Sequence, residues 1–187
     1  MSEPLLAETG VAADAGRLKI RSLIRLGRPA DALVEYEHRH PSTGGDDKPL
    51  LREVAIGFVI PLLKDMREQM RGAAYTALKE LDSDDMVPYF EDGLSDGAGL
   101  VRALAAEGLG RLPAGRRSAR LRKAMGDQAA IVRTATLKAL SRSPQRSNLA
   151  LVESALKDEQ PTVRVTAGGV LVKFGRPKLL SRVREAA

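Results

Sequence analysis

Small and branched hydrophobic residues recur every four positions in four similar segments of this chain. The four segments lie near residues 68–81, 99–112, 130–143 and 161–174. In the second segment, Val101, Ala105 and Leu109 form such a row. Residues four apart lie on one side of an α-helix, so the pattern predicts four helices, each with one apolar side. We call these the inner helices.

A second set of hydrophobic positions, spaced by three and four residues, precedes each inner helix or follows the last one. This spacing predicts outer helices near residues 85–94, 115–125, 146–157 and 177–186. An earlier stretch, 49–63, carries the same apolar row in Ile56, Val59 and Leu63. Gly, Pro and Ser interrupt the pattern between most of these segments, which indicates turns.

The helix pairs repeat with a fixed step of 31 residues. An aspartate and, six positions later, an arginine mark every repeat. The eight residues are Asp65, Arg71, Asp96, Arg102, Asp127, Arg133, Asp158 and Arg164. With 12 Asp and 21 Arg among 187 residues, four such coincidences on one step are not expected by chance. A fixed step of this length is typical of stacked repeat proteins.

The Asp, the Val-Arg or Met-Arg pair, the Ala-rich inner helix and the fixed step together resemble the HEAT-repeat family. The short form of the repeat is also seen in phycobilin lyases. The resemblance covers residues 48–187 and implies an all-α, right-handed α-solenoid of HEAT-like helical hairpins. It further implies that the eight Asp and Arg residues form a structural ladder, because in the family they bond along the stack.

Elementary chemistry supports the same role for this pair. An Asp just before a helix can accept hydrogen bonds from free backbone N–H groups at the positive end of the helix. An Arg in the first turn has five donors with which to reach the neighbouring repeat. A catalytic pair would be needed once, whereas this pair occurs four times alike, so we expect it to be structural.

The first 47 residues fit the period less well. Residues 12–40 predict a helix pair that turns at 27–29, with Pro29 suited to a helix start. The stretch from Leu26 to Tyr36 is similar to the second-helix start of tetratricopeptide repeats. We therefore expect an N-terminal helical cap and loop over residues 1–47, with 41–47 as the loop, and the repeat array over 48–187.

Composition removes most sites of chemistry. The chain has no Cys and no Trp, so thiolate ligands and a Cys nucleophile are excluded. Its two histidines, His38 and His40, are two apart and do not share one side of a helix. No phosphate-binding glycine motif follows a strand. The expectation is a protein that is not an enzyme, with no catalytic, cofactor or metal residue and no cofactor.

The location expected from the sequence is the cytoplasm. No basic-then-apolar leader is visible at the start, and the absence of Cys suits a reducing compartment. The longest apolar stretch, 54–63, is too short to cross a bilayer and contains Pro61. We expect no contact with a membrane.

Charge divides the chain unevenly. Residues 1–110 hold 13 Lys and Arg against 19 Asp and Glu, whereas residues 111–187 hold 17 against 5. This asymmetry predicts either an acidic partner for the basic half or self-association between the unlike ends of two copies. If the inner helices line the concave face, as in the family, three cations in one column and a fourth nearby form a basic ridge. The candidate binding residues on this ridge and on the outer helix beside it are Arg111, Arg116, Arg117, Arg120, Lys138, Arg142 and Lys173.

The favoured function is a non-catalytic protein-binding scaffold or adaptor, chaperone-like or an assembly factor. One alternative is binding of a nucleic-acid phosphate backbone by the basic half. Phe174 is the only aromatic residue there, so stacking of bases is not supported. A second alternative, from the resemblance, is a chromophore lyase-like subunit that acts on a partner protein.

The last inner helix is the most apolar of the four. Val165 and Val172 stand where the preceding repeat has Thr134 and Ser141, and Gly168 and Gly169 follow each other. The segment 176–187 predicts an outer helix without an inner partner. Two interpretations stay open: either that helix caps the array, or the C-terminal end docks on another chain, including by self-association.

Overall fold

The structure is a computed structural model that describes the backbone of residues 4–39 and 45–176 and the side chains of 15–39 and 45–176. Within these residues the chain forms α-helices and short 3₁₀ turns, and no strand. The predicted all-α fold is confirmed. The helices are α1 (Pro4–Arg25), α2 (Pro29–Arg39), α3 (Lys48–Val59), α4 (Glu68–Lys79), α5 (Val87–Gly93), α6 (Gly99–Arg111), α7 (Ala119–Lys123), α8 (Ala130–Leu140), α9 (Arg146–Ser154) and α10 (Pro161–Lys173).

The chain divides into two compact units, Met1–Asp65 and Met66–Ala187. The first unit contains α1, α2 and α3. Its core is formed by Ile20, Ala32, Tyr36, Leu50 and Val54, all at most 4 % exposed. Burial of these side chains from all three helices is the main stabilisation that such a small unit has.

The structure places α3 in the N-terminal unit, whereas the sequence predicted a domain boundary after residue 47. Leu50 and Val54 of α3 are buried in the same core as Ile20 of α1. Arg21 also forms a bidentate ion pair with Glu53, at 2.8 Å from Nε to Oε2 and 2.7 Å from Nη2 to Oε1. The apolar row of α3 therefore completes the N-terminal helix pair, so the compact unit extends to Asp65 instead of ending in the loop.

The second unit holds the repeats. Its inner helices α4, α6, α8 and α10 pack consecutively, each against the next. Their apolar rows are fully buried: Val101, Val132, Val163, Leu78, Leu109, Leu140 and Leu171 are all 0 % exposed. The predicted inner helices thus agree with the observed ones to within three residues at each end.

Neighbouring inner helices approach closely at Gly110 of α6. A Cβ atom at this position would lie only 2.6 Å from Cα of Ala139 in α8. Such a separation leaves no room for any side chain, so glycine is required by packing between the helices. The small residues in the inner helices therefore set the spacing of the stack.

The outer helices are shorter than predicted. The segment predicted as one helix over 115–125 consists of a 3₁₀ turn (Gly115–Arg117), helix α7 and a second 3₁₀ turn (Ala124–Gly126). Ser118 explains the break, because its Oγ accepts the N–H groups of Arg120 and Leu121 at 3.1 and 3.3 Å and so starts a new helix. Its backbone, at φ −58° and ψ 130°, is outside the helical range.

Several predictions from the sequence fall outside the described residues. They are the last outer helix near 177–186, His40 and residues 41–44 of the predicted loop. Among the helices that are described, none has both the length and the apolar composition needed to cross a membrane.

Candidate functional site

Three arginines link consecutive repeats through paired hydrogen bonds to carboxylates. Arg102 of α6 donates from Nε and Nη2 to the two carboxylate oxygens of Asp127, both at 2.8 Å. Arg133 of α8 binds Asp158 in the same way, with both distances at 2.7 Å. Arg71 of α4 binds Asp96 at 2.7 and 2.9 Å. Each pair joins an Arg to the Asp 25 residues later, which belongs to the next repeat.

The third donor group of these arginines fixes the turn of their own repeat. Nη1 of Arg102 donates to the carbonyl oxygens of Asp96 and Gly97 at 2.9 and 3.1 Å. Nη1 of Arg133 makes the equivalent bonds to Asp127 and Gln128 at 2.8 and 3.1 Å. A single guanidinium therefore closes the turn before its own helix and holds the turn of the following repeat.

The aspartates cap a turn and not the helix itself. Oδ1 of Asp96 accepts the N–H of Ala98 at 2.8 Å, and Oδ1 of Asp127 accepts that of Ala129 at the same distance. Ala98 and Ala129 are the N-cap residues of α6 and α8, and neither helix has a side-chain cap. The helix-capping role expected from the sequence is corrected to a turn two residues upstream.

Burial and pairing shift the ionisation of the ladder residues. The hydrogen bonds from Arg102 lower the pKa of Asp127 despite its partial burial. The hydrogen bonds from Arg133 lower the pKa of Asp158 in the same way. Burial raises the pKa of Asp96, but the bonds from Arg71 and from the N–H of Ala98 outweigh it, so this pKa is also lowered. All three carboxylates are therefore charged at neutral pH.

The remaining two ladder residues stand at the ends of the series. Asp65 lies half-buried just after the 3₁₀ turn Ile60–Lys64, and its N–H donates to the carbonyl oxygen of Leu62 at 3.2 Å. Arg164 of α10 donates from Nη1 to the carbonyl oxygens of Asp158 and Glu159, at 2.9 and 3.1 Å.

Arg116, which the sequence placed among the candidate binding residues of an outer helix, lies instead in the 3₁₀ turn Gly115–Arg117. Its Nε donates to the carbonyl oxygen of Gly110 at 2.9 Å, and its Nη2 to that of Arg111 at 2.7 Å. These carbonyl oxygens lie at the C-terminal end of α6, where no N–H group of the same helix is in position to donate to them. The 3₁₀ turn points Arg116 back at α6, so this cation is used to stabilise a helix end.

Two other candidate cations already have carboxylate partners. Arg111 lies 3.1 Å from Oε1 of Glu80, and Arg120 lies 3.3 Å from Oδ1 of Asp92. Both pairs are exposed, so each contributes little to stability and each can exchange for an external anion. Arg117 is exposed and has no carboxylate partner among the described residues.

The last three candidates surround one groove between α8 and α10. We call it the basic groove and define it by Lys138, Ser141, Arg142, Thr166, Gly169 and Lys173. The groove encloses about 530 Å³. A smaller groove of about 250 Å³ between α6 and α8 continues from it, because Lys138 and Arg142 line both. The structure therefore brings Lys138, Arg142 and Lys173 together.

The basic groove differs from the equivalent surface between α4 and α6, two repeats earlier, because its acidic residues are missing. Earlier in the stack, Lys79 pairs with Glu107 at 2.8 Å, and Arg111 pairs with Glu80. Two steps of 31 residues replace Glu107 by Gly169, and the Glu80–Arg111 pair by Arg142 and Lys173. Within the described residues, Lys138, Arg142 and Lys173 have no ion-pair partner.

Thr166 and Gly169 are lining residues that the sequence reasoning did not assign. Gly169 replaces Lys138 in the repeat column, and a Cβ atom there would meet nothing within 4 Å. The missing side chain leaves the floor of the groove open between Lys138 and Lys173. The sequence does contain a signal for this surface: the repeat column of Thr76, Glu107, Lys138 and Gly169 has a different residue in every repeat.

Catalytic groupings are not visible in the part of the chain that the structure describes. No set of three or more His, Asp and Glu residues there is placed to hold a metal ion. His38 is exposed near the end of α2. Burial, with smaller contributions from Asp96 and Asp92, raises the pKa of Tyr75 to about 12, and its hydroxyl donates to the carbonyl oxygen of Tyr89. This tyrosine is therefore a neutral packing residue.

Comparison with known proteins agrees with the geometry of the repeats. Residues 56–141 match the family model described as HEAT repeats. The match supports the resemblance to the HEAT-repeat family that the sequence pattern predicted, and the stacked α-hairpins fit a helical solenoid. No curated protein matches the chain.

Proposed function

We propose that this HEAT-repeat protein is a non-catalytic scaffold that holds an acidic segment of a partner protein in the basic groove. HEAT repeats generally mediate protein–protein interactions and are typically non-catalytic. The finer claim, an acidic partner in this groove, is carried by one observation: Lys138, Arg142 and Lys173 line a single groove without a carboxylate partner.

The electrostatics favour an extended, negatively charged ligand. Three cations around one groove attract carboxylates strongly, and the lack of internal partners means that no ion pair has to be broken on binding. The lining has Ser141, Thr166 and Gly169 but no aromatic side chain. Backbone and carboxylate groups can reach such a surface, whereas base stacking has no platform there.

A titration with a labelled acidic peptide tests the proposal. Fluorescein-labelled octaglutamate is added to the full chain at about 0.15 M and 1 M salt, and anisotropy is recorded. We expect binding at the lower salt and a strong loss at the higher salt, because the Debye length falls from about 8 Å to about 3 Å. The triple change Lys138→Ala, Arg142→Ala and Lys173→Ala is expected to abolish binding.

A matched control keeps the net charge of the triple variant but leaves the groove intact. It carries Arg117→Ala, Arg120→Ala and Lys123→Ala, three exposed cations on the outer side. This control is expected to bind the peptide like the unchanged protein. Equal loss in both variants would contradict the proposal, because it would show attraction to total charge and not to the groove.

Nucleic-acid binding is the competing outcome and is separated by a pull-down from native cell extract. A protein recovered after nuclease treatment, and lost in the groove variant, supports the scaffold. Recovery of nucleic acid alone, lost in the same variant, would replace the acidic protein by a phosphate backbone. The chromophore lyase-like role stays a prediction that a bilin-transfer assay tests. A cytoplasmic location likewise stays a prediction.

A further inference from the structure

Arg164 is the one ladder arginine of α10, and its rung is incomplete. Nη1 of Arg164 donates to the carbonyl oxygens of Asp158 and Glu159 at 2.9 and 3.1 Å. Arg102 and Arg133 make the same two bonds at nearly the same distances. Their Nε and Nη2 also bind a carboxylate, but those of Arg164 bind no described residue. The guanidinium of Arg164 is therefore held in place with its carboxylate-binding edge open.

Two valines beside Arg164 are exposed on the same helix. Val165 is 71 % exposed and Val172 is 50 % exposed. Their equivalents in α6, two steps earlier, are Ala103 and Gly110, which are buried. Gly110 is buried because Ala139 of the next inner helix packs directly against it. This side of α10 thus corresponds to the surface on which each earlier inner helix receives its successor.

We propose that this side of α10 binds a helix of another protein whose first turn is preceded by an aspartate. The partner's carboxylate would accept the Nε and Nη2 hydrogen bonds of Arg164, and a side of small or branched residues would cover Val165 and Val172. The three complete rungs define this chemistry, because each shows an Arg, a carboxylate and a closely packed helix in the same arrangement. The surface is distinct from the basic groove.

A second copy of this chain does not fit as the occupant. The ladder aspartates Asp96, Asp127 and Asp158 are each engaged by an arginine of their own chain. Asp65 is also engaged in an interaction. Residues 111–187 carry 17 basic against 5 acidic residues, so a contact between two C-terminal ends is repulsive, and a head-to-tail contact is opposed by the engagement of these aspartates. The partner that fits is a different chain that brings a free aspartate.

Pre-organisation gives this site its specificity. Because the carbonyl oxygens of Asp158 and Glu159 already orient the guanidinium, little side-chain freedom is lost when a carboxylate binds. A paired Arg–carboxylate contact also requires one geometry, which a lysine or a diffuse charge does not reproduce. A glutamate-rich segment without a helix would not satisfy both the carboxylate and the valines.

The test uses a labelled synthetic peptide that copies residues 146–174, which contain α9, the Asp158 turn and α10. Anisotropy measures its binding to the full chain. We expect saturable binding that weakens about tenfold or more when the peptide carries Asp158→Asn or the protein carries Arg164→Gln. The control Lys173→Gln lies on the groove side, and we expect it to leave this binding unchanged. Equal affinity for the two peptides would overturn the proposal.

Joining the test segment to the chain removes the need for the free peptide to fold by itself. A second copy of residues 144–174 is inserted after Phe174, which keeps the 31-residue step and places an aspartate 25 residues beyond Arg164. The urea midpoint should rise and should fall again with Asp→Asn in the inserted copy. An unchanged midpoint in both extended chains would also overturn the proposal.

Light scattering of the unmodified chain tests whether a second copy occupies this surface. We expect no concentration-dependent assembly that depends on Arg164. Oligomers that disappear with Arg164→Gln would overturn the assignment to a different protein, because they would show a second copy as the occupant. Failure of the basic-groove titration would not affect these results, since none of the variants that weaken this contact lies in the groove.

Discussion

The two ends of the inner helices carry the same kind of charge for opposite purposes. At the N-terminal ends, Arg102 and Arg133 are 7 % exposed and bind carboxylates of the next repeat. At the C-terminal ends, Lys138, Arg142 and Lys173 are exposed and lack a carboxylate partner within the described residues. The comparison teaches that a carboxylate in register, and not the cation itself, separates a structural arginine from a cation that is left without an ion-pair partner among the described residues.

The two ends of the inner helices also differ in how strictly their residues repeat. The ladder arginine and aspartate are identical in every repeat, because each contact is made by two repeats at once and a change in one breaks both. The groove column changes from Thr76 to Glu107, Lys138 and Gly169. Residues that face a ligand need to fit only that ligand, so they can differ from repeat to repeat.

The strongest way to break this comparison is to remove one cation from each end of α8. Arg133→Ala should lower the free energy of unfolding by about 3–5 kcal/mol, because it leaves the half-buried Asp158 without its partner. Lys138→Ala should change it by no more than about 0.5 kcal/mol. Urea unfolding of both variants measures the two values. Similar losses for both would refute the structural role of the ladder.

Lowering the pH sharpens the comparison, because the ladder depends on carboxylates with lowered pKa values and the basic groove has no carboxylate lining it. The pKa of Asp127 is lowered by its bonds from Arg102, relative to an ordinary value of 3.8. Its contribution is therefore complete above that value and is lost as the pH falls through the lower folded-state pKa. We expect Asp127→Asn to cost about 1.5–3 kcal/mol at pH 7 and progressively less as the pH falls below 3.8.

The measurement is the difference in urea midpoint between Asp127→Asn and the unchanged protein across pH 2–7. Glu159→Gln serves as the control, since this carboxylate is exposed and lies 3.4 Å from Arg133. We expect little pH dependence of the difference for the control. A difference for Asp127→Asn that persists unchanged at low pH would show that packing, and not the charged bond, accounts for the loss.

Two glycines provide a smaller test of which surfaces are packed. Gly110→Ala should destabilise the protein by about 1–3 kcal/mol, because the new methyl group meets the backbone of Ala139. Gly169→Ala should stabilise it by up to about 1 kcal/mol, because helix propensity rises and nothing lies within 4 Å. Thermal unfolding gives the sign of each change, and destabilisation by both would mean that the groove floor is occupied.

The smallest expected effect concerns a paired surface cation. Arg120→Ala removes an ion pair in which the two side chains are 57 % and 81 % exposed. Such pairs contribute about 0–1 kcal/mol, so unfolding should change by only a few tenths. A loss comparable to that of Arg133→Ala would show that exposure does not separate the two classes of ion pair.

The sequence predicted the inner helices well, because their apolar positions repeat on one step. Val101, Val132 and Val163 occupy one column and are all fully buried. The position of the aspartate relative to its helix was less accurate. Asp96 accepts a hydrogen bond from the N–H of the N-cap residue Ala98 and not from a residue within the helix, which depends on backbone angles that spacing does not encode.

Contacts between different elements were not predictable from helical spacing. Arg116 is in register with an outer helix, yet a 3₁₀ turn and Ser118 direct it to the end of α6. The pairing of Arg111 with Glu80 likewise depends on how neighbouring repeats stack. The three groove cations are among the candidates named from the sequence, but spacing did not show that Arg111, Arg116 and Arg120 have partners whereas these three have none among the described residues.

A double-mutant cycle on Arg133 and Asp158 tests the central claim most directly. Unfolding free energies are measured for Arg133→Ala, Asp158→Ala, the double variant and the unchanged chain. The account predicts a coupling energy of about 2–3 kcal/mol, the upper range for contacting residues in one network. A coupling energy below about 0.5 kcal/mol would contradict it, because the repeated pair would then not be what holds the repeats together.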